Sequence, residues 1–539
     1  MDSASPELLA SVAAIAASIG ALARTTRVRR IHFAGVPLLL AGWLGLAWSV
    51  LPNSLQDHAA AAAAALVVAL LVGWLAARLL AGRESWLLAA GAALLTIRIP
   101  VPTGDDDSAM LLVPFYLVIA LGALIVIRRE LVDLRAAPRR PLADRGGATR
   151  LLDVGAALLP AVATLSLTWS WVPEETTKAL AFYLVPFVLA YQVVRSLLDA
   201  RIDARAAGWA LVASSTVLAL VGLYQWLAKD VWWNPKVIDA NRFRPDFRTN
   251  SLLWDPNMFG RALVVAIVAV VAWLLVARLR ARGTAALVAV LALLVAALWT
   301  TYSQSSWVAL AAALVLLALL TTPPAPRRWL AALVAVVVVV GTPLAASALS
   351  GSDEDGRQHV VRTGISLAAE RPVLGWGIGT FDAAARAREL EQGNRDPRLT
   401  ASHTTPITVF AELGLLGAFT YLTLLASAGV AILARWRRTS TRASHARASG
   451  SDERATGWPI APIIWATGTI MALFAHSLLY AGFFEDPTTW VALAVLASLP
   501  MVRPSDDDTE LHAELSSPAP ERTEGVTAHT GDALSCSSA

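Results

Sequence analysis

The feature that most constrains this chain is a recurring apolar run of roughly 17–25 residues, the length a helix needs to cross a bilayer at 1.5 Å per residue. Runs such as "ALVVAIVAVVAWLLVA" (262–277) and "WLAALVAVVVVVGTPLAA" (329–346) have no polar face to turn toward water. A soluble helix cannot be apolar all round without being buried. Composition agrees: 56% of the 539 residues are hydrophobic and only 16% are charged, against about half and a quarter in soluble domains. The predicted fold class is therefore all-α, a polytopic transmembrane helical bundle.

The placement of charge orders the runs. Arginines concentrate in alternate connections, among them "RTTRVRR" (24–30), 128–150, 195–205 and "RWRRTSTRASHAR" (435–447). Basic connections face the cytoplasm. The connections between them are short and acidic or aromatic, as in "TGDDDS" (103–108), "VPEETTK" (172–178) and "EDPTT" (485–489). This alternation closes for about 14–15 spans. It places the N-terminus outside if residues 7–23 cross, and the C-terminus inside. The first run has no basic leader, so no cleavable signal peptide is expected. Residues 1–228 read as N-terminal transmembrane helices. Residues 229–503 read as a second transmembrane unit with long outer connections at 229–256 and 350–403. The tail 504–539, acidic and rich in Pro and Ser, reads as disordered and cytoplasmic. A lone cysteine, Cys536, excludes an internal disulfide and a thiolate metal site. Neither a metal nor a cofactor is expected, and no nucleic-acid partner.

Any chemistry then belongs to the outer connections. The first holds Arg242, Arg244 and Arg248, with Arg261 just inside the next run. Outer arginines run against the usual bias. Their bland role is headgroup contact or pairing with Asp239, Asp246 and Asp255. Their sharper role is to grip a phosphate, which a planar guanidinium does with two parallel hydrogen bonds. The second connection carries Arg357 and Arg362, then "ERPVLGWGIGTF" (370–381), a tight loop by its Pro and glycines. "DAAARARELEQ" (382–392) reads as a short amphipathic helix. No strand precedes GWGIG, so it is no dinucleotide fingerprint. His403 sits at the start of an apolar run, where an imidazole can take a proton from a hydroxyl near neutral pH. Glu412 lies within that run, a costly place for an acid; it serves either a site or a helix–helix hydrogen bond. His476 is a second histidine within an apolar run and is read as structural.

Four segments together resemble the O-antigen ligase / O-antigen polymerase family. "RTNSLLWDPNMFGRAL" (248–263) looks like that family's stretch in which Asp/Asn-Pro-Asn, here with Asn257, opens a helix. "TYSQSSWVALAAALVLLALL" (301–320) looks like its Ser-Arg-Gly hairpin. "VVRTGISLAAERPVLGWGIGTF" (360–381) looks like its arginine followed by Pro-hydrophobic-Leu-Gly-x-Gly. "SHTTPITVFAELGLLG" (402–417) looks like its His-Asn before Glu-x-Gly. Two positions depart from the pattern: Gln304 stands where an arginine is usual, and Thr404 where an asparagine is.

The resemblance implies a glycosyltransferase, ligase or polymerase, of the cytoplasmic (inner) membrane. Its donor would be a glycan on a polyprenyl diphosphate such as undecaprenyl diphosphate. Its acceptor would be a hydroxyl on a glycan, lipid or protein at the outer face. His403 would be the catalytic base. Arg242, Arg244, Arg248 and Arg362 would bind the diphosphate, with Arg261, Arg357, Glu412, Asn257 and Gln304 in support. A transporter or lipid-glycan flippase, and a non-catalytic partner in envelope assembly, are the readings left beside it.

Overall fold

The computed structural model describes residues 6–51, 58–102, 108–136, 146–243, 246–276, 279–321, 352–391, 393, 404–448 and 461–498. Among them, eight helices are long and apolar enough to cross a membrane: Arg29–Ser49, Gly147–Trp169, Pro173–Asp199, Arg205–Ala228, Pro256–Val276, Ala281–Thr300, Gln304–Thr321 and Thr405–Arg437. Shorter apolar helices cover Glu7–Ala23, Ala63–Leu79, Ala461–Ser477 and Pro487–Ser498. The chain is a multi-pass helical membrane protein. The expected span at 329–346 and the expected disordered tail at 504–539 lie outside the described residues. A small antiparallel hairpin, Ile99–Pro102 with Ser108–Leu111, is the exception to the helical pattern.

Residue spacing decides which helix face is buried. In Pro6–Ala23, the buried residues Ala10, Ala13, Ala14, Ala17 and Ala21 form one stripe. They lie against Val36, Leu39, Leu40, Trp43 and Leu46 of Arg29–Ser49, which repeat at the same interval. Small side chains let helices approach closely where lipid offers no hydrophobic drive between them. Ala59–Leu79 leaves Val67, Val68, Leu71, Val72 and Leu75 exposed, an apolar surface suited to lipid and not to water.

Several arginines of the basic connections fold inward. Arg24 meets Glu130 at 2.6 Å and Gln192 at 3.1 Å. Arg195 meets Asp153 at 2.8 Å, and Tyr191 donates to the same carboxylate. Buried ions are tolerated when paired and hydrogen-bonded in this way.

The expected long connection 350–403 contains regular structure among its described residues. Ser352–Glu370 and Phe381–Glu391 are helices joined by a turn. Val360, Leu367 and Ala368 form a narrow apolar stripe that packs on Phe381, Ala384, Ala385 and Ala411. The dense charge at the start of the first helix hides that stripe in the sequence; the second was expected from its amphipathic pattern.

Candidate active site

The four segments singled out by sequence come together as two pairs. The first pair is 248–261 with 300–306. Thr249 N–H donates to the Thr300 carbonyl (3.0 Å), and the Arg248 Nε donates to the Thr301 carbonyl (2.9 Å). Asp255 accepts from the Asn257 amide at 2.7 Å and so caps helix Pro256–Val276, which begins on a proline. The Ser303 hydroxyl donates to Asn257 Oδ1 (2.8 Å), and Arg248 Nη2 reaches the same oxygen at 3.3 Å. Ser305 Oγ is 3.1 Å from His476 Nε2.

The second pair is the glycine turn 371–380 with 411–416. Helix Thr405–Ala448 is broken at Gly414, whose backbone (φ 61°, ψ −156°) is not helical. A break orphans backbone groups on either side, and buried ones need partners. The turn supplies them. Trp376 and Gly377 amides donate to the carbonyls of Ala411 (3.1 Å) and Glu412 (2.8 Å), and the Leu415 amide donates to Pro372 (2.7 Å). The Glu412 carboxylate accepts from the Phe381 amide at 3.1 Å, at the first turn of helix Phe381–Glu391, where negative charge is favoured. Glu412 thus holds the turn to the helix; it is buried and was expected either to support the site or to make a helix–helix hydrogen bond.

A fifth segment, 476–490, joins the two pairs. Arg261 Nε meets Asp486 Oδ2 at 2.8 Å, and its Nη1 donates to the Gly482 carbonyl at 3.2 Å. Asp486 also accepts from the Thr488 amide (2.8 Å) and caps helix Pro487–Ser498, with Pro487 next to the cap. Burial alone would raise its pKa, but Arg261 and the Thr488 hydrogen bonds outweigh this and hold Asp486 below the ordinary carboxylate value. Glu485 behaves oppositely. Desolvation pushes it up despite the nearby Arg261 and Arg98. Arg98, half-buried just before the hairpin, faces Asp486, Arg261 and Tyr183.

Beside this cluster lies a cleft of about 60 Å³, lined among others by Tyr183, Gly379, Thr405, Glu412, Phe484 and Glu485. Tyr183 comes from a widened turn, Leu180–Leu184. That turn precedes Pro186, whose missing N–H disturbs regular helix bonding.

The expected site residues fall in different places. Arg261, Arg248, Asn257 and Glu412 belong to the cluster just described. Arg242 is exposed and pairs with Asp239 at 3.0 Å. Arg362 is exposed on helix Ser352–Glu370, which also carries Arg357. Gln304 is exposed at the first position of helix Gln304–Thr321. His403 and Arg244 lie outside the described residues; Thr405, two positions after His403, lines the cleft. Arg98, Tyr183, Glu485 and Asp486 were not singled out from sequence. The one signal for them was an Asp-Pro pair opening an apolar run.

Residues 289–422 match the family described as O-antigen ligase. The matched stretch contains the serine hairpin, the glycine turn and the Glu412–Gly414 break. It leaves out 248–261 and 476–490, which the structure packs against it. No curated protein matches the chain.

Proposed function

We propose that this protein is a membrane-embedded glycosyltransferase of the cytoplasmic membrane, either ligase or polymerase. It moves a glycan from a polyprenyl diphosphate to an acceptor hydroxyl on the outer face. The observation that carries this reading is that two carboxylates, Glu412 and Glu485, and part of the matched O-antigen ligase segment line one cleft, with Arg261 bonded to Gly482 at its edge. Attack of a hydroxyl on the anomeric carbon expels diphosphate, and the departing charge needs preorganised cations. Arg242, Arg244 and Arg362 are assigned to the diphosphate. Arg248 and Arg261 already hold backbone carbonyls and a carboxylate, so their part is to order that surface. His403 takes the hydroxyl proton. No metal is required, because diphosphate is itself a good leaving group.

The test is made in cells lacking this gene. Lipid-linked glycan is expected to accumulate and one surface polymer to vanish, and wild-type protein restores both. An unchanged lipid-linked pool refutes the transferase reading. His403→Ala should retain about 1% or less of wild-type transfer, since a positioned base contributes about 10²–10⁴-fold. Full restoration by that variant would remove His403 from the mechanism. Arg242→Ala and Arg362→Ala should each raise the apparent donor KM by roughly tenfold, as loss of one charge-assisted hydrogen bond does; an unaltered KM in both dismisses the anion site.

A further inference from the structure

Among the described residues, two polar groups lining the cleft have no hydrogen-bond partner. The Thr405 hydroxyl is one: the residue is 4% exposed and its Oγ1 is unmatched. Unmatched buried hydroxyls are uncommon, and each calls for an explanation. Glu485 is the other. Its residue is exposed and lines the cleft. Among the described residues no hydrogen bond reaches its carboxylate.

The neighbourhood keeps Glu485 unmatched. Arg261 is engaged by Asp486 and Gly482. Gly482 has φ +123°, where side chains are disfavoured; a Cβ there would lie 3.2 Å from Arg261 Nη1 and 3.8 Å from Glu485 Oε2. The glycine keeps open the gap between guanidinium and carboxylate. Phe483 and Phe484 supply apolar surface beside it, and Glu412, Tyr183 and Thr408 complete the polar lining.

We propose that this cleft binds the hydroxyl-bearing edge of an uncharged sugar, with the Glu485 carboxylate accepting from its hydroxyls and the Thr405 hydroxyl completing the contact. The inference rests on the transferase reading and makes this sugar part of the acceptor. A carboxylate with free lone pairs is a strong acceptor for O–H donors, and charge-assisted bonds are the stronger kind. Aromatic faces suit the apolar face of a sugar ring. The Glu485 carboxylate lines the cleft and disfavours a uronic acid. The volume of about 60 Å³ holds a few waters, so an edge of the ring enters and displaces them.

The test uses the full chain in lipid nanodiscs, with methyl glucoside, methyl galactoside, methyl mannoside and glucuronate as probes. Binding is read by saturation-transfer NMR titration. At least one neutral glycoside should bind saturably, and glucuronate should not. Glu485→Gln should weaken that binding roughly 10–100-fold, and Thr405→Val by a smaller factor. Binding to wild type should fall with pH, at a pH above the ordinary carboxylate value of 4.5, because the pKa of Glu485 is raised. The groups facing it are Arg261, Arg98, Glu412, Tyr183 and Tyr480. The fall should be absent in Glu485→Gln, which a merely structural role would not produce. Glu485→Gln should unfold at no lower a temperature, since it removes a desolvated charge; Thr405→Val carries the test if that variant does not fold.

Failure of every neutral glycoside to bind overturns the proposal, as does wild-type affinity in both variants. If lipid-linked glycan accumulates in the deletion but no sugar binds, the transferase reading stands and this one falls. If sugar binds and the lipid-linked pool is unchanged, the sugar site stands and the transferase reading falls.

Discussion

Arg261→Ala should remove glycan transfer and much of the folded protein together. The guanidinium meets Asp486 at 2.8 Å with both side chains about one-tenth exposed. Removing one partner of such a pair leaves the other charge buried and uncompensated, a loss of about 3–5 kcal/mol. The Gly482 carbonyl loses its donor at the same time. A double variant separates stability from activity. Asp486→Asn keeps an oxygen to cap the helix at Thr488 while removing the charge, so Arg261→Met with Asp486→Asn should recover most of the melting temperature. It should not recover transfer, because the ordered surface beside the cleft is lost. Thermal unfolding in detergent and transfer from lipid-linked glycan would be measured for each. A double variant as unstable as Arg261→Ala would show that the charge on Asp486 is not the cause. The pair also fixes a pH dependence. Asp486 is depressed below its ordinary 3.8, so its contribution is present at neutral pH. It is lost only as the pH falls below that value and through the depressed one.

The segments that make this site were unevenly legible. Helices such as Pro256–Val276 announce themselves, because an apolar run of that length has few alternatives. The glycine turn was legible as a turn, since Gly375, Gly377 and Gly379 all take positive φ. Its partner was not. Nothing local to Glu412 says that its carbonyl and carboxylate will accept from Gly377 and Phe381. The Arg261–Gly482 contact joins residues 221 positions apart, and periodicity carries no information at that range. Glu485 and Asp486 read as a short acidic connection, the commonest fate of such a pair. Their different roles come from tertiary surroundings: one carboxylate faces a guanidinium, its neighbour a cleft. The arginines read in sequence as one group, three in seven residues. In the fold Arg242 is exposed beside Asp239 while Arg248 is bound to backbone and Asn257, surroundings that spacing does not specify.

Gly414→Ala should disconnect the glycine turn from the broken helix and abolish transfer while the spans stay in the membrane. With φ +61° and ψ −156°, Gly414 occupies a region essentially closed to other residues, at a cost of about 1–3 kcal/mol. Crowding adds to that. A Cβ would lie 2.4 Å from the Val373 carbonyl carbon and oxygen, which are backbone atoms with no rotamer to yield. Gly375→Ala meets the mirror-image obstacle: φ is +70° and its Cβ would lie 2.3 Å from the Glu412 carbonyl carbon. Overpacking of this kind costs about 1–3 kcal/mol more, comparable with the hydrogen bonds that join the two segments. The turn should therefore detach locally. The Trp376, Gly377 and Leu415 amides should exchange hydrogen with solvent much faster than in wild type. Gly82→Ala is the control, because Gly82 has φ +83° but nothing within 4 Å of its Cβ position; it isolates backbone strain from crowding. Slow exchange at the three amides in Gly414→Ala, or an equal loss of transfer in Gly82→Ala, would mean that close approach of the two segments is not what positions the cleft.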